Sequence, residues 1–184
     1  LVGLVTTLAA LFAFNHIDNE LRVTPIIYEQ ALFELSEIES FSDQGAHALY
    51  AYFVNGDAEE LMAYRKVVET IPSKFDSLAS LTLILAPTEA VQGEMLASIT
   101  QAWAEFTSNT EPVISEFRRT GVVSTTSLLS INQSLREHHR LIRLMIEFEH
   151  RKYRDGRNDL NKVIESSQNI LLIVALVSLA ALIL

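Results

Sequence analysis

Hydrophobic positions along this chain recur every three or four residues almost from end to end, and strand-like alternation is nearly absent. Such gaps place side chains on one face of an α-helix, so the pattern predicts helices. The first stripe takes in Ile17, Leu21, Tyr28, Leu32, Leu35, Ile38, Leu49 and Phe53. It ends at Asn55-Gly56-Asp57, where Gly56 supplies the positive φ of a helix C-cap and Asp57 caps the next helix. The second stripe holds Leu61, Tyr64, Val67, Val68 and Ile71, and resumes beyond Pro72 through Phe75, Leu78, Leu81 and Leu83. A turn is expected at Ala86-Pro87-Thr88-Glu89, with Thr88 as an N-cap. The third helix then carries Val91, Met95, Ile99, Trp103, Phe106, Val113, Ile114 and Phe117 to about Thr120, and Gly121 ends it. Ser124 to Ser127 start a fourth helix with Leu128, Ile131, Leu135, His138, Ile142, Met145 and Phe148, continued by Leu160, Val163 and Ile164. Proline removes an amide donor, so a kink is expected at Pro25, a short break at Pro72 and a bend at Pro112. Ser42, Asp43 and Gly45 are expected to loosen the first helix, and Gly156 to weaken the fourth by on the order of 1 kcal/mol relative to Ala.

Helices joined by short turns predict an all-α fold, an antiparallel up-down-up-down four-helix bundle. An even helix count returns the chain to the end of the bundle where it began. The two chain ends break the amphipathic pattern. Residues 1–14 (LVGLVTTLAALFAF) and 170–184 (ILLIVALVSLAALIL) contain no charge, and hydrophobicity all round a helix suits a bilayer. Each run is shorter than the roughly 20 residues that span a membrane. The chain opens on Leu1, not Met, and is still apolar where it stops at Leu184. Both runs are therefore expected to be pieces of longer membrane helices. The predicted organisation is a first transmembrane helix over 1–14, a four-helix domain over 15–169, and a second transmembrane helix over 170–184. A secretory signal has an apolar core of this length, but no basic region precedes this one and it flows directly into an amphipathic helix.

Composition agrees with this division. A chain of 184 residues that is 49% hydrophobic and 20% charged has a mean hydropathy of +0.22 because its apolar residues are concentrated at its ends. The net charge of −9 argues against nucleic acid as a partner and against docking on an anionic bilayer surface. The absence of cysteine excludes disulfides, zinc–thiolate sites, iron–sulfur clusters and cysteine nucleophiles.

Candidate chemistry is sparse. Arg136, Arg140 and Arg143 lie on neighbouring turns of the fourth helix and can clamp a carboxylate ligand with their planar donor forks. The same spacing also suits an ion-pair ladder of Arg143 with Glu147 and Arg140 with Glu137. His138 falls on the apolar stripe, as a hydrogen-bonded bundle-lining histidine whose near-neutral pKa makes it a candidate for pH response. Glu147 and His150 have the Glu-x-x-His spacing of di-iron bundles, but no other histidine has a glutamate three residues before it. No metal, no cofactor and no catalytic residue is therefore expected in this segment. Trp103, Phe106 and Phe117 suit a core or a pocket lining, and Asn132-Gln133-Ser134 matches a glycosylation sequon.

The stretch Tyr52-Phe53-Val54-Asn55-Gly56-Asp57, followed by Leu61 and Tyr64, resembles the CHASE3-type sensor domain of bacterial receptors. In that family a long first helix ends in a tyrosine, two apolar residues, a small polar residue and Gly-Asp, before a helix with a leucine and a Tyr-Arg-like pair. Residues 142–151 (IRLMIEFEHR) are similar to the family's last helix before the membrane. His47-Ala48-Leu49-Tyr50-Ala51 stands where the family usually carries a Thr-Gly-x-Arg-Gly run. The resemblance implies a periplasmic or extracellular signal-input module in the bacterial cell membrane, working as a homodimer. It further implies a small-molecule or periplasmic protein ligand, and signalling through the second membrane helix to a histidine kinase or diguanylate cyclase. Related readings are a chemoreceptor ligand-binding domain and a metal-binding helical bundle.

Overall fold

The computed structural model describes the backbone of residues 2–85 and 90–183, with side chains described over 26–84, 90–158, 161, 162, 164–169 and 173. The described chain is all helical. Helix α1 spans Val2–Asn55, α2 Ala58–Leu85, α3 Ala90–Thr120 and α4 Thr125–Ile183. Two compact units form: one of Leu1–Glu29 with His150–Leu184, the other of Gln30–Glu149.

Local chemistry accounts for the helix ends. Gly56 closes α1 with φ of 70°, and its amide donates to the Tyr52 carbonyl at 2.8 Å. Asp57 Oδ1 accepts the Glu59 amide at 2.9 Å, capping α2. Gly121 repeats the device after α3, with φ of 70° and a 2.7 Å bond to the Phe117 carbonyl. Ser124 Oγ accepts the Ser127 amide at 3.1 Å and starts α4. The expected turn at 86–89, with its Thr88 cap, lies outside the described residues.

The expected interruptions do not break the helices. Pro72 lies within α2 and Pro112 within α3. Both prolines are exposed, and the residues beside them, Ile71, Phe75, Val113 and Ile114, are buried. Packing on the core face outweighs the lost hydrogen bond, and the missing donor does not fall in the core. The segment from Ser42 to Gly45 stays helical for a related reason. Ser42 Oγ donates back to the Ile38 carbonyl at 2.7 Å, and Gly45 lies close against Val67 of α2. A Cβ at Gly45 would lie 2.9 Å from Val67 Cγ1. The kink expected at Pro25 falls on a residue whose side chain lies outside the described set.

The core of the Gln30–Glu149 unit draws on every helix. Leu35, Ile38 and Leu49 of α1, Tyr64, Ile71 and Leu78 of α2, Ile99, Phe106 and Ile114 of α3, and Ile131, Ile142 and Met145 of α4 are almost wholly inaccessible. The predicted stripes supply most of these positions, with two corrections. Val91 is 51% exposed and Leu83 is 69% exposed. At the start of α3 the buried face runs through Gln92 and Leu96, because the Gln92 amide donates to Glu149 Oε1 of α4 at 2.7 Å.

Contacts in this unit pair rising numbers in one helix with falling numbers in the next. Glu37 and Gly45 of α1 meet Lys74 and Val67 of α2. Glu39, Asp43 and Tyr50 of α1 meet Arg143, His139 and Asn132 of α4. Gln92 and Ile99 of α3 meet Glu149 and His138 of α4. In the other unit, Tyr28 and Tyr153 pack edge to face with ring centroids 6.4 Å apart. The membrane helices expected over 1–14 and 170–184 fall, apart from Ile173, on residues whose side chains lie outside the described set. Among the described residues, no helix is long and apolar enough to cross a membrane.

Candidate functional site

Helix α4 presents two faces of interest, and the four sequence-predicted site residues divide between them. Arg136, Arg140 and Arg143 are exposed and line a groove of about 290 Å³ with His139, Leu144 and Glu147. Arg140 grips Glu137 through Nε at 2.7 Å and a second guanidinium nitrogen at 2.6 Å, which is the ladder pair expected from spacing. This bond holds the Glu137 carboxyl below its ordinary pKa and the Arg140 guanidinium above its own. Arg143 reaches across to α1, with Nε 3.5 Å from Glu39 Oε1. His139 does the same, with Nε2 3.5 Å from Asp43 Oδ1, an ion-pair distance without hydrogen-bond alignment. Two of the groove's three arginines, Arg140 and Arg143, therefore already have acidic neighbours.

His138 is not part of this groove. It points into the core and is completely buried. Each of the other helices meets its ring. Ser42 Oγ of α1 lies 3.0 Å from Nε2, and the Ile99 carbonyl oxygen of α3 lies 3.3 Å from Nδ1. Phe75 of α2 packs edge to face at 6.3 Å, and Trp103 of α3 tilts over the ring at 5.2 Å. Burial pushes the imidazole pKa down to about 4, helped by the charge of His139 and opposed by the Ile99 carbonyl. His138 is thus neutral at ordinary pH in the only part of the core where all four helices touch one side chain through described contacts.

A second polar centre lies between α2 and α3, where the buried Tyr64 hydroxyl bonds to Thr110 Oγ1. Burial raises the Tyr64 pKa to about 12. A third joins α1 and α2. Lys74 Nζ lies 2.5 Å from Glu37 Oε2 and 3.3 Å from Glu34 Oε2, and Ser77 donates to Glu34 Oε1 at 3.1 Å. The hydrogen bond to Glu37 holds the Lys74 ammonium above its ordinary pKa.

Other sequence candidates resolve into packing. Trp103 and Phe106 stack at 5.2 Å, whereas Phe117 joins Tyr52 and Phe53 of α1 in a separate cluster at 5.1 and 5.5 Å. Asn132 is half-buried within α4 and accepts a hydrogen bond from the Tyr50 hydroxyl at 2.9 Å. Glu147 and His150 are exposed, and the described residues hold no group of three or more histidine or acidic side chains placed for a metal ion. Spacing alone singled out His138 but not Ser42 or the Ile99 carbonyl. A serine in a helix interior on the apolar face was the available signal for the first, and a backbone acceptor leaves none.

No family model matches the chain, and no curated protein or solved structure matches it either.

Proposed function

We propose that this chain is the extracytoplasmic signal-input module of a bacterial transmembrane receptor. In this reading residues 15–169 form an antiparallel up-down-up-down four-helix bundle, and the apolar runs at 1–14 and 170–184 belong to two membrane helices. The observation that carries it is the pairing of α1 with α4 through Tyr50–Asn132, Ser42–His138 and Arg143–Glu39. Along these pairs, moving toward the start of α1 is moving toward the end of α4. Gln30 and Glu149 therefore lie toward the same end of the Gln30–Glu149 unit, which supports a domain on one side of a single membrane. The resemblance around Tyr52 to Asp57 supports the same reading.

A signal enters such a module by binding one packing of the helices more tightly than another, and a few kcal/mol of differential affinity suffices. Helix α4 would pass the change on to an output domain, a histidine kinase or a diguanylate cyclase. The working unit is a homodimer, for which the face of α1 around Ser36, Ser40, Gln44 and Ala51, bordered by Glu39, Asp43 and by Glu60 of α2, offers an open groove. The arginine groove on α4 supports a second reading, a chemoreceptor-like domain that takes a carboxylate ligand.

These 184 residues hold no cysteine, so a single introduced cysteine is the only thiol in this segment. Cysteine at Ser40 or Gln44 should give a disulfide-linked dimer in intact membranes, and cysteine at Gln101 on the outer face of α3 should not. A receptor that stays monomeric with every α1 and α4 position, or that washes off membranes at alkaline pH, would overturn the reading.

A further inference from the structure

The hydrogen bonds around His138 cannot all be made by a neutral ring. The Ile99 carbonyl only accepts, so a bond at Nδ1 needs a proton there. Ser42 Oγ has a single hydrogen and stands 2.7 Å from the Ile38 carbonyl, which also only accepts. When Ser42 donates to Ile38, the bond to His138 at 3.0 Å needs a proton on Nε2. A neutral imidazole carries one N–H. If it is on Nε2, the bare Nδ1 faces the Ile99 oxygen. If it is on Nδ1, Ser42 must turn its hydrogen to Nε2 and leave its oxygen facing the Ile38 carbonyl. Either tautomer leaves one contact between two acceptors inside the core, and only the imidazolium satisfies all three bonds.

We propose that His138 is a proton-binding switch between α1, α3 and α4, and that a second proton on its ring completes the hydrogen bonds that link these helices. Binding the proton supplies the missing donor and draws the ring toward Ser42 and Ile99 together. Burial opposes the charge, and this opposition keeps the switch open at neutral pH.

The charged surroundings set where it closes. On α4 the titratable neighbour is His139, whose ring is 5.9 Å away and whose charge disfavours a second cation. On α1 Asp43 stands beside His139 and partly offsets it. Helix α2 contributes Phe75, and α3 contributes Trp103 and the Ile99 carbonyl, none of them charged. As an input to a receptor the switch rests on the signal-module reading above, but its existence does not, so the test is made on the 184-residue chain alone.

Trp103 is the only tryptophan, and its ring lies 5.2 Å from His138. A cation forming beside an indole interacts with its π-face, so indole emission follows the proton. On acidification of the chain in detergent micelles, Trp103 emission should change with a midpoint near pH 4, while helix content by circular dichroism holds. His138→Gln should abolish the change. Ser42→Ala removes an acceptor from the imidazolium and should move the midpoint down by roughly one to two pH units, since a hydrogen bond to a charged group contributes roughly 1.5–3 kcal/mol. His139→Gln should move it up. Emission that stays flat to pH 3.5, or that changes only as helix is lost, would overturn the proposal. So would midpoints that ignore Ser42→Ala and His139→Gln, the two variants that keep the test decisive if His138→Gln fails to fold. Loss of membrane anchoring or of dimer crosslinking would sink the receptor reading and leave these titrations unaffected.

Discussion

At the scale of single residues, burial decides what each polar group does. His138 has an ordinary pKa of 6.5 and a folded-state value of about 4, so the unfolded chain binds more protons between these limits. Its contribution to stability is complete above pH 6.5 and is lost as pH falls toward 4. At 1.36 kcal/mol per pKa unit the loss is about 3 kcal/mol. Urea midpoints measured at pH 7 and pH 4.5 should show it, and His138→Gln should flatten that window. Tyr64 behaves in the opposite sense. Burial raises its pKa to about 12, so its stabilising effect holds below pH 10 and fades as pH rises through 12. Tyr64→Phe removes its bond to Thr110, whose hydroxyl keeps a 2.8 Å bond to the Thr107 carbonyl. Because Thr110 keeps a partner, the expected cost is about 1 kcal/mol, read as a lower urea midpoint with an unchanged slope.

At the scale of elements, helix propensity and packing make opposite predictions at Gly45. Alanine would favour the α1 helix by about 1 kcal/mol. Its Cβ would meet the stiff, branched Val67 at 2.9 Å, and overpacking of this kind costs roughly 1–3 kcal/mol. Gly45→Ala should therefore be neutral to destabilising, and Gly45→Leu clearly destabilising. Combining either with Val67→Ala should recover part of the loss, a coupling that thermal melts of the double mutant will reveal. The helix ends were legible from residue type, because Gly56, Asp57, Gly121 and Ser124 satisfy orphan backbone groups by local chemistry. The continuity of α2 through Pro72 and of α3 through Pro112 was not. A proline's cost is local, whereas the burial of Ile71, Phe75 and Ile114 that outweighs it depends on partners far along the chain.

At the scale of the molecule, a net charge of −9 gives the folded chain self-repulsion that salt screens. Raising ionic strength from about 10 mM to about 150 mM should therefore raise the melting temperature. A fall would mean that exposed pairs such as Arg140–Glu137 outweigh the repulsion. The sequence by itself determined the all-helical class, the turns at Gly56 and Gly121 and most of the buried face of each helix, because periodicity and caps act within a few residues. The placing of His138 in the core, and of Arg136, Arg140 and Arg143 outside it, also follows from their positions in the α4 stripe. Only the tertiary structure decided what those residues meet. It set Ser42 and the Ile99 carbonyl on either side of the His138 ring, Val67 against Gly45, and Glu39 and Asp43 across from Arg143 and His139. Such partners lie tens of residues apart, and their meeting depends on the register between helices, which side-chain volumes across the whole core decide together.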